Sequence, residues 1–226
     1  MAVSAYKRRF DSKTLGREAH VDVFELSATC ELLFAIFGGS GVDDEEYFAR
    51  GQTVIPVFEQ LLPTLAGLPC VLLHVTAPFD IPFNRFASAP AALERWNQHV
   101  LDELFEPWSE LPFFASGFSG GAALALNGVH SPDRCLGAAT FGADAIPPRF
   151  TCPPHWRHPL QIYCGRHDRV CNHPDNLQIV GELEQRQQAE RIFLDRAGHR
   201  LTDYATDEGL GSMLRFASGI VQAHSE

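Results

Sequence analysis

Short runs of consecutive apolar residues alternate along this chain with longer segments whose apolar positions recur at helical spacing. The runs Leu32–Phe37, Cys70–Val75, Phe113–Gly117, Leu136–Phe141, Leu160–Cys164 and Arg191–Leu194 are the pattern of strands covered on both faces. A more alternating stretch, His20–Leu26, reads as a strand with one wetter face. Between these runs, helices are expected over Asp44–Leu65, Ala91–Phe105, Gly120–Asn127, Asp175–Glu190 and Gly209–Ala223. Asp43 with Glu46 three residues on forms a capping box for the first of them. That accounts for the acidic run Asp43-Asp44-Glu45-Glu46 better than calcium does, because Tyr47 and Phe48 follow where a loop site needs more oxygen ligands. Regular alternation of strand and helix implies an α/β protein, a mostly parallel sheet with helices on both faces. Ligands of such sheets bind outside the carboxyl ends of the strands, so chemistry is to be sought in the loops that follow them.

Composition narrows the picture. At 226 residues, 45% hydrophobic and 20% charged, without repeats or a Gly/Ser-rich or Pro-rich linker, the chain is expected to form one packed domain over 1–226. A formal net charge of -10, with only the short basic cluster Lys7-Arg8-Arg9, argues against nucleic acid as a partner. The apolar runs are too short to cross a bilayer and the start, MAVSAYKRRF, lacks the apolar core of a signal peptide. The expectation is a cytoplasmic protein with no membrane partner. Six cysteines, at 30, 70, 135, 152, 164 and 171, make no C-x-x-C pair and read as reduced packing thiols. Cys164, His167, Cys171 and His173 come nearest to a zinc set, but at irregular intervals, so no metal is expected.

The chemistry concentrates at the end of one strand. Phe113 to Gly117 leads through Phe118-Ser119-Gly120-Gly121 into the small-residue helix Ala122-Ala123-Leu124-Ala125-Leu126. This is the context of a nucleophile elbow, in which the serine takes a strained backbone conformation and glycines around it avoid collisions with the neighbouring strand and helix. A phosphate loop would need G-K-S/T, and the dinucleotide pattern G-x-G-x-x-G is not formed. A serine nucleophile requires a histidine to take its proton and an acid to hold that histidine. Strand Leu160–Cys164 delivers Asp168 to the loop beyond it, and strand Arg191–Leu194 delivers His199 to the next loop, in the order Ser, Asp, His. Asp144, in the loop after Phe141, is a rival for the acid; Asp195 and Asp203 read as surface or helix-capping residues. His74, inside a strand, reads as a satisfied core histidine.

An oxyanion hole needs a second backbone donor besides the Gly120 amide. The buried run ending at Phe37 opens into Gly38-Gly39-Ser40-Gly41, resembling an HGGG-type loop with Phe37 where His is usual, and Gly39 is the expected donor. The loop after Cys70–Val75 carries Phe79, Ile81, Phe83 and Phe86, which either line an apolar substrate pocket or pack beneath the loop.

With these pieces the chain resembles the α/β-hydrolase superfamily from about Val21 onward. The opening Ser12-Lys13-Thr14-Leu15-Gly16-Arg17-Glu18, followed by Val21-Asp22-Val23-Phe24, is similar to the start of the esterase D-like and feruloyl esterase-like group, where such a segment leads into a strand that hairpins onto the sheet. The resemblance implies a Ser119, Asp168, His199 triad, an acyl-serine intermediate, a small-molecule ester substrate and no cofactor. Two features depart from that group: Phe118 stands where His is common before the serine, and the short connection from Phe141 to Leu160, rich in Pro and His, leaves little or no room for a helical cap domain.

Overall fold

The computed structural model describes residues 3–38, 54–75, 90–127, 134–143, 159–174, 177–178, 181, 184–185 and 189–225. Its frame is an eight-stranded sheet of order β1-β2-β4-β3-β5-β6-β7-β8. The strands are β1 (Ser4–Ser12), β2 (Arg17–Glu25), β3 (Leu32–Phe37), β4 (Cys70–Val75), β5 (Phe113–Phe118), β6 (Cys135–Phe141), β7 (Leu160–Gly165) and β8 (Ala189–Leu194). β1 pairs antiparallel with β2, and β2 antiparallel with β4; every pair from β4 to β8 is parallel.

The central strands β3, β4, β5 and β7 are buried at every position. This is why they read as uninterrupted apolar runs. Alternate residues feed opposite layers: Phe34 and Ile36 join a core with Phe58, Met213 and Leu214, whereas Leu33, Ala35 and Phe37 join one with Trp96, Val100 and Leu124. The first layer is built by α1 (Ile55–Phe58), α2 (Leu62–Leu65) and α6 (Ser212–Ser225), the second by α3 (Pro90–His99) and α4 (Gly121–Asn127). A further short helix, α5 (Leu201–Tyr204), follows β8. Burial pushes the Cys70 and Cys135 thiols up to about 12, so these strand cysteines behave as packing groups.

Several boundaries differ from the sequence expectation. The described part of the segment expected as one helix to Leu65 forms two single turns, because Pro63 supplies no amide and sits at a helix start rather than in an interior. Its predicted capping box lies outside the described residues, as does much of the Asp175–Glu190 helix, whose described residues between 174 and 185 are helical. The last helix begins with a π turn at Asp207–Gly211 rather than at Gly209.

Strand β1 is absent from the sequence reading altogether. Its centre is Lys7-Arg8-Arg9, and it is an edge strand whose positions before Ser12 are all exposed or half-exposed, so no apolar run marks it. Arg8 makes it work: the guanidinium covers the Phe10 ring and bonds the carbonyls of Glu103 and Leu104. At the hairpin tip Ser12 Oγ donates to Glu103 Oε2, His99 Nδ1 lies 2.7 Å from the same oxygen and 2.9 Å from Ser12 Oγ, and Glu103 Oε1 accepts from the Thr14 amide and hydroxyl. Glu103 sits in a π turn, Val100–Leu104, that continues α3. The Ser12 to Glu18 motif is thus a hairpin turn fastened to a helix by a buried serine, a buried histidine and a part-buried carboxylate.

Candidate active site

The strand order reverses around β3: β4 lies on one side of it and β5, next in the chain, on the other. Such a switch point opens a crevice at the carboxyl ends of the strands. Ser119 stands there, immediately after β5. Its φ is 51°, and among the described residues it is the one non-glycine with positive φ. A conformation of this kind costs about 1–3 kcal/mol and persists only where the surroundings enforce it. They do so through close backbone approach. A Cβ on Gly117 would lie 2.1 Å from the Gly121 carbonyl oxygen, and one on Gly121 would lie 2.3 Å from the Phe37 oxygen and 2.5 Å from the Gly38 oxygen. The turn is held by the Ser119 amide donating to the Phe141 carbonyl at 3.0 Å and the Ala122 amide donating to the Ser119 carbonyl at 3.0 Å.

Ser119 Oγ lies 3.0 Å from His199 Nε2, and His199 Nδ1 lies 2.9 and 3.0 Å from the two oxygens of Asp168. Burial runs down this line: His199 retains 27% of its side-chain exposure, whereas Asp168 retains none. An isolated carboxylate at that depth would be costly. Asp168 Oδ1 accepts from the Val170 and Cys171 amides at 2.9 and 3.0 Å, and Oδ2 accepts from the Tyr204 hydroxyl at 2.7 Å. Burial by itself would raise the Asp168 carboxyl, but the bonds from His199, Cys171 and Tyr204 outweigh it and hold the group below its ordinary range. It is therefore an anion, able to fix Nδ1 as the protonated nitrogen and leave Nε2 facing Ser119.

Three residues contribute here that sequence reasoning passed over. Tyr204 braces the acid and receives the Gly165 amide at 2.9 Å. Asp203, expected to be a surface or capping residue, accepts from the Gly198 amide at 3.0 Å and so holds the residue before His199. Phe118, noted only as a departure, lies against His199 with ring centroids 5.2 Å apart and against Tyr204 at 5.9 Å. The available signals were weak: a polar pair one turn beyond a loop histidine, and a large aromatic where the elbow ordinarily carries His.

Gly120 lies in the Ser119 turn, ahead of α4. Gly39, the other expected oxyanion donor, lies outside the described residues, as do Asp144 and the expected pocket residues Phe79, Ile81, Phe83 and Phe86. Their flanks are placed: the Gly38 amide donates to Val75 at 2.9 Å, so the ends of β3 and β4 open side by side beside the Ser119 turn. Cys164 and Cys171 share a hydrogen bond with each other and both belong to the small core beneath the acid loop. Among the described residues no group of three or more His, Cys, Asp or Glu side chains could hold a metal ion, and no helix is long and apolar enough to cross a membrane.

No protein-family model and no curated protein matches the sequence. Solved structures do. A dienelactone hydrolase-like promiscuous phosphotriesterase from metagenomic libraries superposes with a TM-score of 0.69 at 15% identity, over 97% of this chain and 99% of that one. An S-formylglutathione hydrolase from Agrobacterium tumefaciens gives 0.65 at 14% identity, covering 98% and 100%. A fluorophosphonate-binding serine hydrolase from Staphylococcus aureus gives 0.58 at 13% identity, covering 98% and 99%. The chain has the α/β-hydrolase fold.

Proposed function

We propose that the protein is a serine hydrolase that cleaves carboxylic esters through an acyl-serine intermediate. The observation that carries this reading is the continuous line from Ser119 Oγ through both nitrogens of His199 to the buried Asp168, begun by a serine in left-handed backbone conformation. In the first step Ser119 Oγ attacks the ester carbonyl carbon while its proton passes to His199 Nε2; the alcohol then leaves, taking that proton. Water, deprotonated by His199, attacks the acyl-enzyme, and Ser119 recovers its proton as the acid product departs. Asp168 remains ionised throughout and stabilises the imidazolium. The oxyanion of each tetrahedral intermediate is assigned to the Gly120 and Gly39 amides, a reading supported by the approach of the Phe37 and Gly38 carbonyls to Gly121. Phe79, Ile81, Phe83 and Phe86, in the segment that leaves the carboxyl end of β4, are assigned to an apolar acyl pocket.

One structural neighbour is named for hydrolysis of S-formylglutathione, and the same nucleophile can attack a thioester carbonyl. The test therefore compares p-nitrophenyl esters of increasing chain length with acyl-thioesters, using the wild type and Ser119→Ala. Ester turnover that disappears in the variant is expected. Turnover confined to thioesters would replace the ester assignment, and full activity of Ser119→Ala would overturn the mechanism.

A further inference from the structure

Resting on the reading of Ser119, His199 and Asp168 as nucleophile, base and acid, we propose that Tyr204 is a positioning residue: its hydroxyl competes with His199 for one oxygen of Asp168 and thereby sets the basicity of the imidazole. The oxygen that accepts from the Tyr204 hydroxyl at 2.7 Å, Oδ2, is also the one nearer to His199 Nδ1, at 2.9 Å. The direction of the tyrosine bond is settled by its other partner. The Gly165 amide can only donate, and it points at the Tyr204 oxygen from 2.9 Å, so the phenolic proton is left for the carboxylate.

Independent parts of the chain converge to build this contact. The Tyr204 ring is fully buried between Phe118 and Phe141, with centroids at 5.9 and 5.7 Å. Gly142, at φ +49°, keeps the junction open: a Cβ there would lie 2.6 Å from Asp168 Oδ2 and 2.9 Å from the Tyr204 oxygen. Burial, with the adjoining carboxylate, pushes the phenol above its ordinary range, so it remains a donor wherever the enzyme works.

The Asp168 carboxylate thus serves four donors, the two amides at Oδ1, Tyr204 at Oδ2 and His199 across both. Removing one leaves more of its charge to the imidazole, which favours the imidazolium and raises the pH at which His199 stops acting as a base. Among the described residues, the other titratable groups near this pair have partners of their own. Cys171, on the acid loop, and Cys164, at the end of β7, are free thiols that share a hydrogen bond. Arg191 and Glu184, beside Cys164, are paired, as are Arg166 and Asp195 at the surface. Asp203 is engaged by the Gly198 amide.

The test is the pH profile of kcat/KM on p-nitrophenyl acetate for the wild type, Tyr204→Phe and Tyr204→3-fluorotyrosine, whose more acidic phenol donates more strongly. In Tyr204→Phe the acid limb is expected to move up by about half a unit to one unit, with plateau kcat lower by about ten- to a hundred-fold. The fluorinated variant is expected to move the limb down. A limb that stays in place in both variants overturns the proposal, even with a lowered melting temperature, because that pattern belongs to packing alone. If Tyr204→Phe does not fold, the fluorinated variant decides by the sign of its shift. Activity retained in Ser119→Ala would instead remove the underlying triad reading, and this proposal with it; Ser119-dependent activity with an unmoved limb rejects the Tyr204 role only.

Discussion

Among the described residues, two clusters of serine, histidine and carboxylate are wired differently. At the carboxyl ends of the strands, His199 uses Nε2 for Ser119 and Nδ1 for Asp168, so a proton leaving the serine has somewhere to go and the charge it creates is matched from behind. At the hairpin tip, His99 turns one nitrogen, Nδ1, toward both Ser12 and Glu103, while Ser12 donates straight to the carboxylate and accepts the Leu15 amide. Ser12 has its proton committed to Glu103 and its oxygen engaged by the Leu15 amide, and burial does not separate the two serines, since each is 3% exposed. The same three functional groups yield a proposed catalyst in one place and a fastening in the other. Which nitrogen faces which partner, and the left-handed backbone that only Ser119 among the described non-glycine residues adopts, separate the two.

Paired serine substitutions should separate the two clusters by the largest margin. Ser119→Ala should lower kcat by about 10⁴–10⁶, whereas Ser12→Ala should leave ester turnover within about two-fold, since a stability loss of a few kcal/mol spares the folded fraction. A large loss from Ser12→Ala in folded protein would erase the distinction. Next comes the acid: Asp168→Asn keeps the shape but supports the wrong histidine tautomer, and kcat should fall by about 10⁴. Glu103→Gln, its counterpart, should leave kcat unchanged and instead lower the unfolding free energy by about 1–3 kcal/mol through weakened hydrogen bonds to a charged acceptor, read by chemical denaturation.

The smallest effect is the pH dependence of that fastening. Burial opposes ionisation of Glu103, but bonds from Ser12, His99 and Thr14 hold its carboxyl down to about 2, against an ordinary value of 4.5. Its contribution is complete above the ordinary value and is lost as pH falls from there through about 2. His99, lowered by burial in spite of Glu103, adds a loss in the same direction nearer neutrality. The wild-type denaturation midpoint should therefore decline on acidification more steeply than that of Glu103→Gln; parallel curves would show that Glu103 does not carry the dependence.

What could be read in the sequence followed from local constraint. The strands β3 to β7 are covered on both faces, and continuous burial leaves continuous apolar runs. The Ser119 turn was visible because close backbone approach at Gly117 and Gly121 excludes every side chain. Asp168 and His199 stood out because each follows a strand in a parallel sheet. Strand β1 left no such mark, since its buried face is supplied by Phe10 and the stem of Arg8, and its pairing by β2. The roles of Tyr204 and Asp203 depend on α5 folding back over the ends of β6 and β7, a tertiary event without a sequence period. The fastening of Ser12 to His99 and Glu103 joins residues 87 and 91 positions apart.

Reaction with a fluorophosphonate probe, followed by mass-spectrometric location of the adduct, decides whether Ser119 is the activated serine of this molecule. A single label on Ser119 is expected, lost in His199→Ala and retained in Ser12→Ala. Absence of label on the folded wild type, or a label on Ser12 or any other residue, would contradict it.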